Sequence, residues 1–139
     1  MQKENKLLAA SILILIFSVV IFLIVLKMNS FSLERREIPI SLEVSDRVGF
    51  DVNSSALTFG KITPGGSSTR NLILENNYGF PIKLKIEIEG NVLKFLSFEK
   101  VVFIDSRETK KIIFSAVIPG DEKFGKYSGK VIITIKKDI

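Results

Sequence analysis

The 139-residue chain contains no cysteine and no histidine, and 46% of its residues are hydrophobic. Without those two residue types there is no disulfide, no thiolate or imidazole metal ligand, and no Ser-His-Asp or Cys-His nucleophile. The formal charge of +5 is spread unevenly, with +3 on residues 1–36 and +2 on residues 37–139, so the larger part lacks the basic excess of a nucleic-acid-binding face.

The chain opens with a short tail, residues 1–6, that carries Lys3 and Lys6. Residues 7–26 read LLAASILILIFSVVIFLIVL, without a charge and with Ser11 and Ser18 as the only polar side chains. A helix of that length rises roughly 30 Å, the thickness of a hydrocarbon core. The pattern predicts a transmembrane helix over residues 7–27, with membrane lipid as its partner. A cleaved signal peptide has a shorter apolar region and ends at a small-x-small site. Ser30-Phe31-Ser32 is the best such site here, and a poor one, so an uncleaved signal anchor is expected. Lys3, Lys6 and the amino terminus nearly balance Lys27, Arg35 and Arg36 across it. The short tail and large remainder favour a single-pass protein of the cell membrane. Its amino terminus would be cytoplasmic and its C-terminal domain extracytoplasmic.

Residues 28–37, MNSFSLERRE, are expected to form a polar stem. From residue 38 to 139 the hydrophobic period becomes two. Ile38, Ile40, Leu42 and Val44 alternate with polar residues, and Phe50 with Val52 forms a second short run. In PIKLKIEIEG the residues Ile82, Leu84, Ile86 and Ile88 point one way, and Lys83, Lys85, Glu87 and Glu89 the other. VLKFLSF, KVVFI, KKIIFSAVIP and YSGKVIITIKK follow as further strand candidates. Gly, Pro, Asn or Asp mark nearly every junction. Seven to nine short strands follow, with no helical period after residue 27. The fold class predicted is an all-β, immunoglobulin-like antiparallel sandwich behind one N-terminal helix, with a small closed barrel as the alternative.

The stretch LTFGKITPGGSSTRNLILENNYGFPIKLKIEI is the most patterned part of the chain. It runs from a strand ending at Phe59-Gly60, through a Pro64-Gly65 turn and Thr69, to Leu72, Leu74 and Asn76, and then to a strand opened by Pro81. This run resembles immunoglobulin-like domains of the major sperm protein, pilus-chaperone and Hydin-related type. The closing segment PGDEKFGKYSGKVIITI, with Tyr127 and Gly129, is similar to the last strands of many such prokaryotic modules. The resemblance covers residues 57–88 and 119–135 and implies a fold rather than an activity. The plan of one N-terminal helix and one external domain also resembles archaellum accessory proteins.

Candidate sites are few. Gly60-Lys61 lacks the Ser or Thr and the following helix that a phosphate loop needs, since Ile62 and a strand pattern come next. Asp46, Asp51, Asp105, Glu108, Asp121 and Glu122 fall in turns without a calcium-loop spacing. Asn53-Ser54-Ser55 is a glycosylation sequon. Tyr127 suits a hydrogen bond back across a corner, between Gly125 and Gly129. Ile73, Ile113, Val117 and Ile132 occupy the second face of their strands and form a candidate partner surface.

No catalytic residue, metal or cofactor is expected, and no small-molecule substrate. The sequence points to a membrane-anchored interaction module of the cell envelope that docks to another envelope protein or to itself. A scaffold subunit of a surface filament and a cytosol-facing peptide adaptor are the alternatives.

Overall fold

The computed structural model describes residues 2–29, 32–49 and 56–138. The short Phe50–Val52 run, Asp51 and the Asn53 sequon lie outside these residues. The chain divides into two units, residues 1–31 and 32–139.

The first unit is helix α1, Gln2–Asn29. It extends beyond the expected 7–27 because neither flank contains the Gly or Pro that would stop it. Lys3–Lys27 is long and apolar enough to cross a membrane, and its side chains are exposed on all sides. Ser11 and Ser18 donate their hydroxyls to the carbonyls of Leu8 and Leu15, both at 2.9 Å, so no hydroxyl is left bare in an apolar setting.

The second unit is largely β-sheet. Its strands are β1 (Glu34–Val44), β2 (Leu57–Ile62), β3 (Ser67–Glu75), β4 (Ile82–Gly90), β5 (Leu96–Phe98), β6 (Val101–Ile104), β7 (Thr109–Val117) and β8 (Gly125–Lys137). Five of them form one sheet in the order β2-β1-β8-β4-β6, and three form another in the order β3-β7-β5. The expectation of a wholly antiparallel arrangement is corrected here. β1 and β2 run parallel, and residues 45–56 supply the dozen or so residues that a parallel crossover needs.

The expected stem is also corrected. Met28 and Asn29 belong to α1, and Glu34–Glu37 belong to β1, in register with Ile135 to Ile132 of β8. Charged residues are tolerated there because they pair along the strand, Arg36 with Glu34 at 2.6 Å and Arg35 with Glu37 at 3.2 Å. A third difference falls on VLKFLSF. Asn91–Phe95 is a single 3₁₀ turn, entered through Gly90 at φ 113°. Val92 and Phe95 stand three apart, the spacing that eclipses side chains in such a turn, and both are buried.

One apolar core lies between the two sheets. Ile82, Leu84, Ile86 and Ile88 of β4 enter it, as do Ile40, Leu42 and Val44 of β1 and Val131, Ile133 and Ile135 of β8. Ile112, Phe114 and Ala116 of β7 meet them from the other sheet, with Leu74. Each of the Val, Leu, Ile and Phe side chains contributes about 1.5–3 kcal/mol by leaving water. Arg70 ties the sheets at one side by donating Nε to the Thr58 carbonyl at 2.6 Å.

Candidate functional site

Local geometry explains the patterned stretch that starts at Leu57. Thr58 pairs with Ser41 and Lys61 with Glu43, so β2 spends two residues, Phe59 and Gly60, where β1 spends one. Gly60 is the extra residue of a bulge, with φ 74°. In strict alternation Lys61 would point into the core, and the bulge turns it outward onto the face of Ser41 and Glu43. Thr63-Pro64-Gly65-Gly66 then reverses the chain, with Gly66 N–H donating to the Thr63 carbonyl at 2.9 Å and Gly65 at φ 79°. That is the chemistry of a type II turn.

Two of the other motif residues hold backbone rather than ligand. Asn76 is completely buried. Its Nδ2 donates to the carbonyls of Phe80 (2.9 Å), Ile104 (3.1 Å) and Asp105 (2.9 Å), and its Oδ1 accepts the Tyr78 N–H at 2.9 Å. It therefore ties the β3–β4 connection to the end of β6. Gly129 faces Gly90 across the β4–β8 ladder, and a methyl group there would run into the Glu89 carbonyl.

Tyr127 donates its hydroxyl to Glu122 at 2.8 Å, five residues back, and packs edge-on against Phe95. Lys94 donates to the same carboxylate oxygen at 2.9 Å and lies 4.9 Å from the Tyr127 ring centre. The two donors, Lys94 first, hold the Glu122 carboxyl below its ordinary range. The same carboxylate raises the pKa of Lys94 and of Tyr127.

The four residues expected to form one partner surface do not. Ile132 is buried, on the central strand β8, in register with Glu37 on one side and Glu87 on the other. Lys130 spans that face by pairing with Glu37 at 3.4 Å and Glu89 at 3.5 Å, so Ile132 lies among charged chains. Ile73, Ile113 and Val117 share the outer face of the three-stranded sheet, 68%, 47% and 58% exposed. They are open because β5 is only three residues long and reaches only Phe114 to Ala116 of β7. Around them stand Ser67, Thr69, Asn71, Ser97 and Ser115, with Lys111 opposite Ile73 and Glu75 at the end of the same face. The five-stranded sheet is more highly charged, its outer face carrying Glu37, Glu43, Lys61, Lys83, Lys85, Glu87, Glu89 and Lys130, with the exposed Val101 and Phe103 of β6 opposite Lys85 and Lys83.

Two depressions were not foreseen. One is a polar recess of about 570 Å³ across β2, β1 and β8, where Thr58, Ser41 and Ser128 form a row of hydroxyls beside Lys61, Glu43 and Lys126. The other is a groove of about 720 Å³ between β4 and β5, lined by Glu87, Ile88, Leu93, Leu96, Phe98 and Val101 among others. The recess depends on the Gly60 bulge and the groove on strand lengths. The only trace of the groove in the sequence is that KVVFI is shorter than the nine-residue strand beside it. Among the described residues no group of three or more Asp or Glu could hold a metal ion. No protein-family model, curated protein or solved structure matches the chain.

Proposed function

We propose that the protein is a non-catalytic, membrane-anchored interaction module of the cell envelope, docking another envelope protein through the outer face of its three-stranded sheet. The observation that carries this is the exposed aliphatic patch itself. Ile113 and Val117 sit among Ser, Thr and Asn, and Ile73 beside Lys111 and Glu75 at one end, while the other sheet carries a run of ion pairs. Interfaces commonly set such an apolar centre inside a polar and charged rim. Helix α1 supplies the anchor, with the domain on the extracytoplasmic side.

The fold proposed for the domain is an immunoglobulin-like sandwich. The β3-β7-β5 order matches B-E-D, and the adjacency of β4 and β8 matches C-F. The strand flanking β8 is the N-terminal β1, where that plan has the last strand of the chain. A scaffold role in a surface filament is a special case of the same docking.

Cysteine accessibility tests the placement. The chain has no native cysteine, so Lys126→Cys, exposed on the sheet away from the docking face, is a unique label. A membrane-impermeant maleimide should label it in intact cells, and the protein should sediment with membranes. Labelling only after lysis, or a soluble protein, contradicts the placement.

A further inference from the structure

Sheet edges offer unpaired backbone, and proteins usually blunt them with short strands, bulges or charge. Among the described residues the two sheets end in β2, β6, β3 and β5. β5 has three residues and β6 four. β2 is interrupted by the Gly60 bulge, and its outer side is bridged at Lys61 by Gly49. β3 is the exception. It runs nine residues in unbroken register with β7 and contains no Pro, Gly or Lys. The direction of its backbone groups follows from its ends. The Ile118 N–H donates to the Gly66 carbonyl at 2.9 Å, and the Asn76 N–H to the Glu108 carbonyl at 2.8 Å. Even-numbered residues therefore exchange hydrogen bonds with β7, and odd-numbered ones turn N–H and C=O to the open side. Ser67, Thr69, Asn71, Ile73 and Glu75 are all exposed there. The Thr69 carbonyl accepts Arg70 Nη1 at 3.3 Å and keeps a second lone pair.

We propose that β3 pairs antiparallel with β3 of a second copy of this chain, centred on Asn71, joining two three-stranded sheets into one of six strands. Centred there, all nine residues of both strands overlap. On the outer face Ser67 meets Glu75, Thr69 meets Ile73, and Asn71 meets itself. On the inner face Ser68 meets Leu74 and Arg70 meets Leu72. No position sets like charges across the seam, where direct opposition is unfavourable. Arg70 is turned toward the other sheet, its Nε held by the Thr58 carbonyl at 2.6 Å. Centring the pair on Arg70 instead would set two guanidiniums face to face. Centring it on Leu72 or Ile73 leaves Ser67 and Ser68 past the end of the partner strand. A two-fold pairing of this kind is closed and stops at two copies. It does not rest on the docking function above. It covers the edge of the sheet and leaves Ile73, Ile113 and Val117 on the outer face, as two patches flanking one seam.

The test uses the full chain in detergent micelles, whose cysteine-free sequence is the background. Asn71→Cys should form a disulfide-linked dimer on mild oxidation. Opposed Cα atoms in a hydrogen-bonded pair lie about 5.5 Å apart, inside the disulfide range. Thr69→Cys and Ile73→Cys should each fail to link alone and should link when co-expressed. Asn71→Pro removes an N–H that only the second copy uses, and Pro is tolerated on an open edge. It should weaken self-association at least about tenfold in analytical ultracentrifugation, with an unchanged circular dichroism spectrum. If Asn71→Pro fails to fold, the cysteine pattern decides alone. A native chain that sediments as a monomer throughout, no link from Asn71→Cys, or equal linking from Lys83→Cys on the other sheet overturns the pairing. Crosslinking at position 113 separates this from docking. A different protein captured there while Asn71→Cys fails leaves docking and removes the pairing. Linking through Asn71→Cys with no such capture does the reverse.

Discussion

Asn76 shows how much one side chain can hold at the residue scale. Replacing it with alanine strands the Tyr78 N–H and the carbonyls of Phe80, Ile104 and Asp105 in or near the core. Asn76→Ala should cost about 3 kcal/mol, read as a lower denaturant midpoint with an unchanged slope. Asn76→Asp keeps the shape but sets a carboxylate against three carbonyls, so it should cost at least as much. Arg107 is the reverse case. It sits at φ 65°, a left-handed conformation that costs a side-chain-bearing residue about 1 kcal/mol, and Arg107→Gly should raise stability by about 0.5–1 kcal/mol in the same titration. The importance of Asn76 was legible only as part of a familiar run of residues. Its four bonds reach residues as far off as Asp105, and no local pattern encodes that distance. The strain at Arg107 left no mark in the sequence, because any residue type is chemically acceptable in an exposed turn.

At the scale of elements, period two located the strands wherever one face is buried and the other wet. β4 is the plainest example, with its even-numbered residues from Ile82 to Ile88 buried and the intervening ones exposed. The pattern misled where something interrupts it. Gly60 inserts a residue in β2, Gly90 breaks β4 into a 3₁₀ turn, and Ile132 is covered by neighbours on both sides although it points away from the core. Alternation tells the two faces of a strand apart. It does not tell how far a neighbouring strand reaches, and that difference separates Ile132, flanked on both sides, from Ile113, which lies beyond the end of β5. Gly60→Val should therefore destabilise by about 1–2 kcal/mol, since it forces a β-branched residue to a positive φ. The corner of Lys94, Glu122 and Tyr127 makes a pH prediction. The lowered pKa of Glu122 means that its contribution is present above the ordinary carboxylate value and is lost as pH falls through the lowered one. Lys94 and Tyr127 are raised, so their contributions fade only as pH rises through their own raised values. The gap in melting temperature between the native chain and Glu122→Gln should thus be widest near neutral pH and close as the solution is acidified below the carboxylate range.

At the scale of the whole molecule, the helix and the β-rich unit were both evident from composition and period alone, because a charge-free run of twenty residues and a strict alternation are strong signals. The sheet order was not evident. Nothing local says that β1 runs parallel to β2 across a crossover, or antiparallel to β8, where Glu34 meets Ile135 from the far end of the chain. The partner surface was half legible for the same reason. Ile73, Ile113 and Val117 were identifiable as second-face residues, but that they share one sheet face, without Ile132, follows from which strands pair. Docking through that face is the central claim, and photo-crosslinking in native membranes tests it most directly. A benzoyl-phenylalanine at position 113 should capture a specific envelope protein on irradiation, while the same group at position 83, on the charged sheet, should capture none. Equal capture from both positions, or none from position 113, would contradict it.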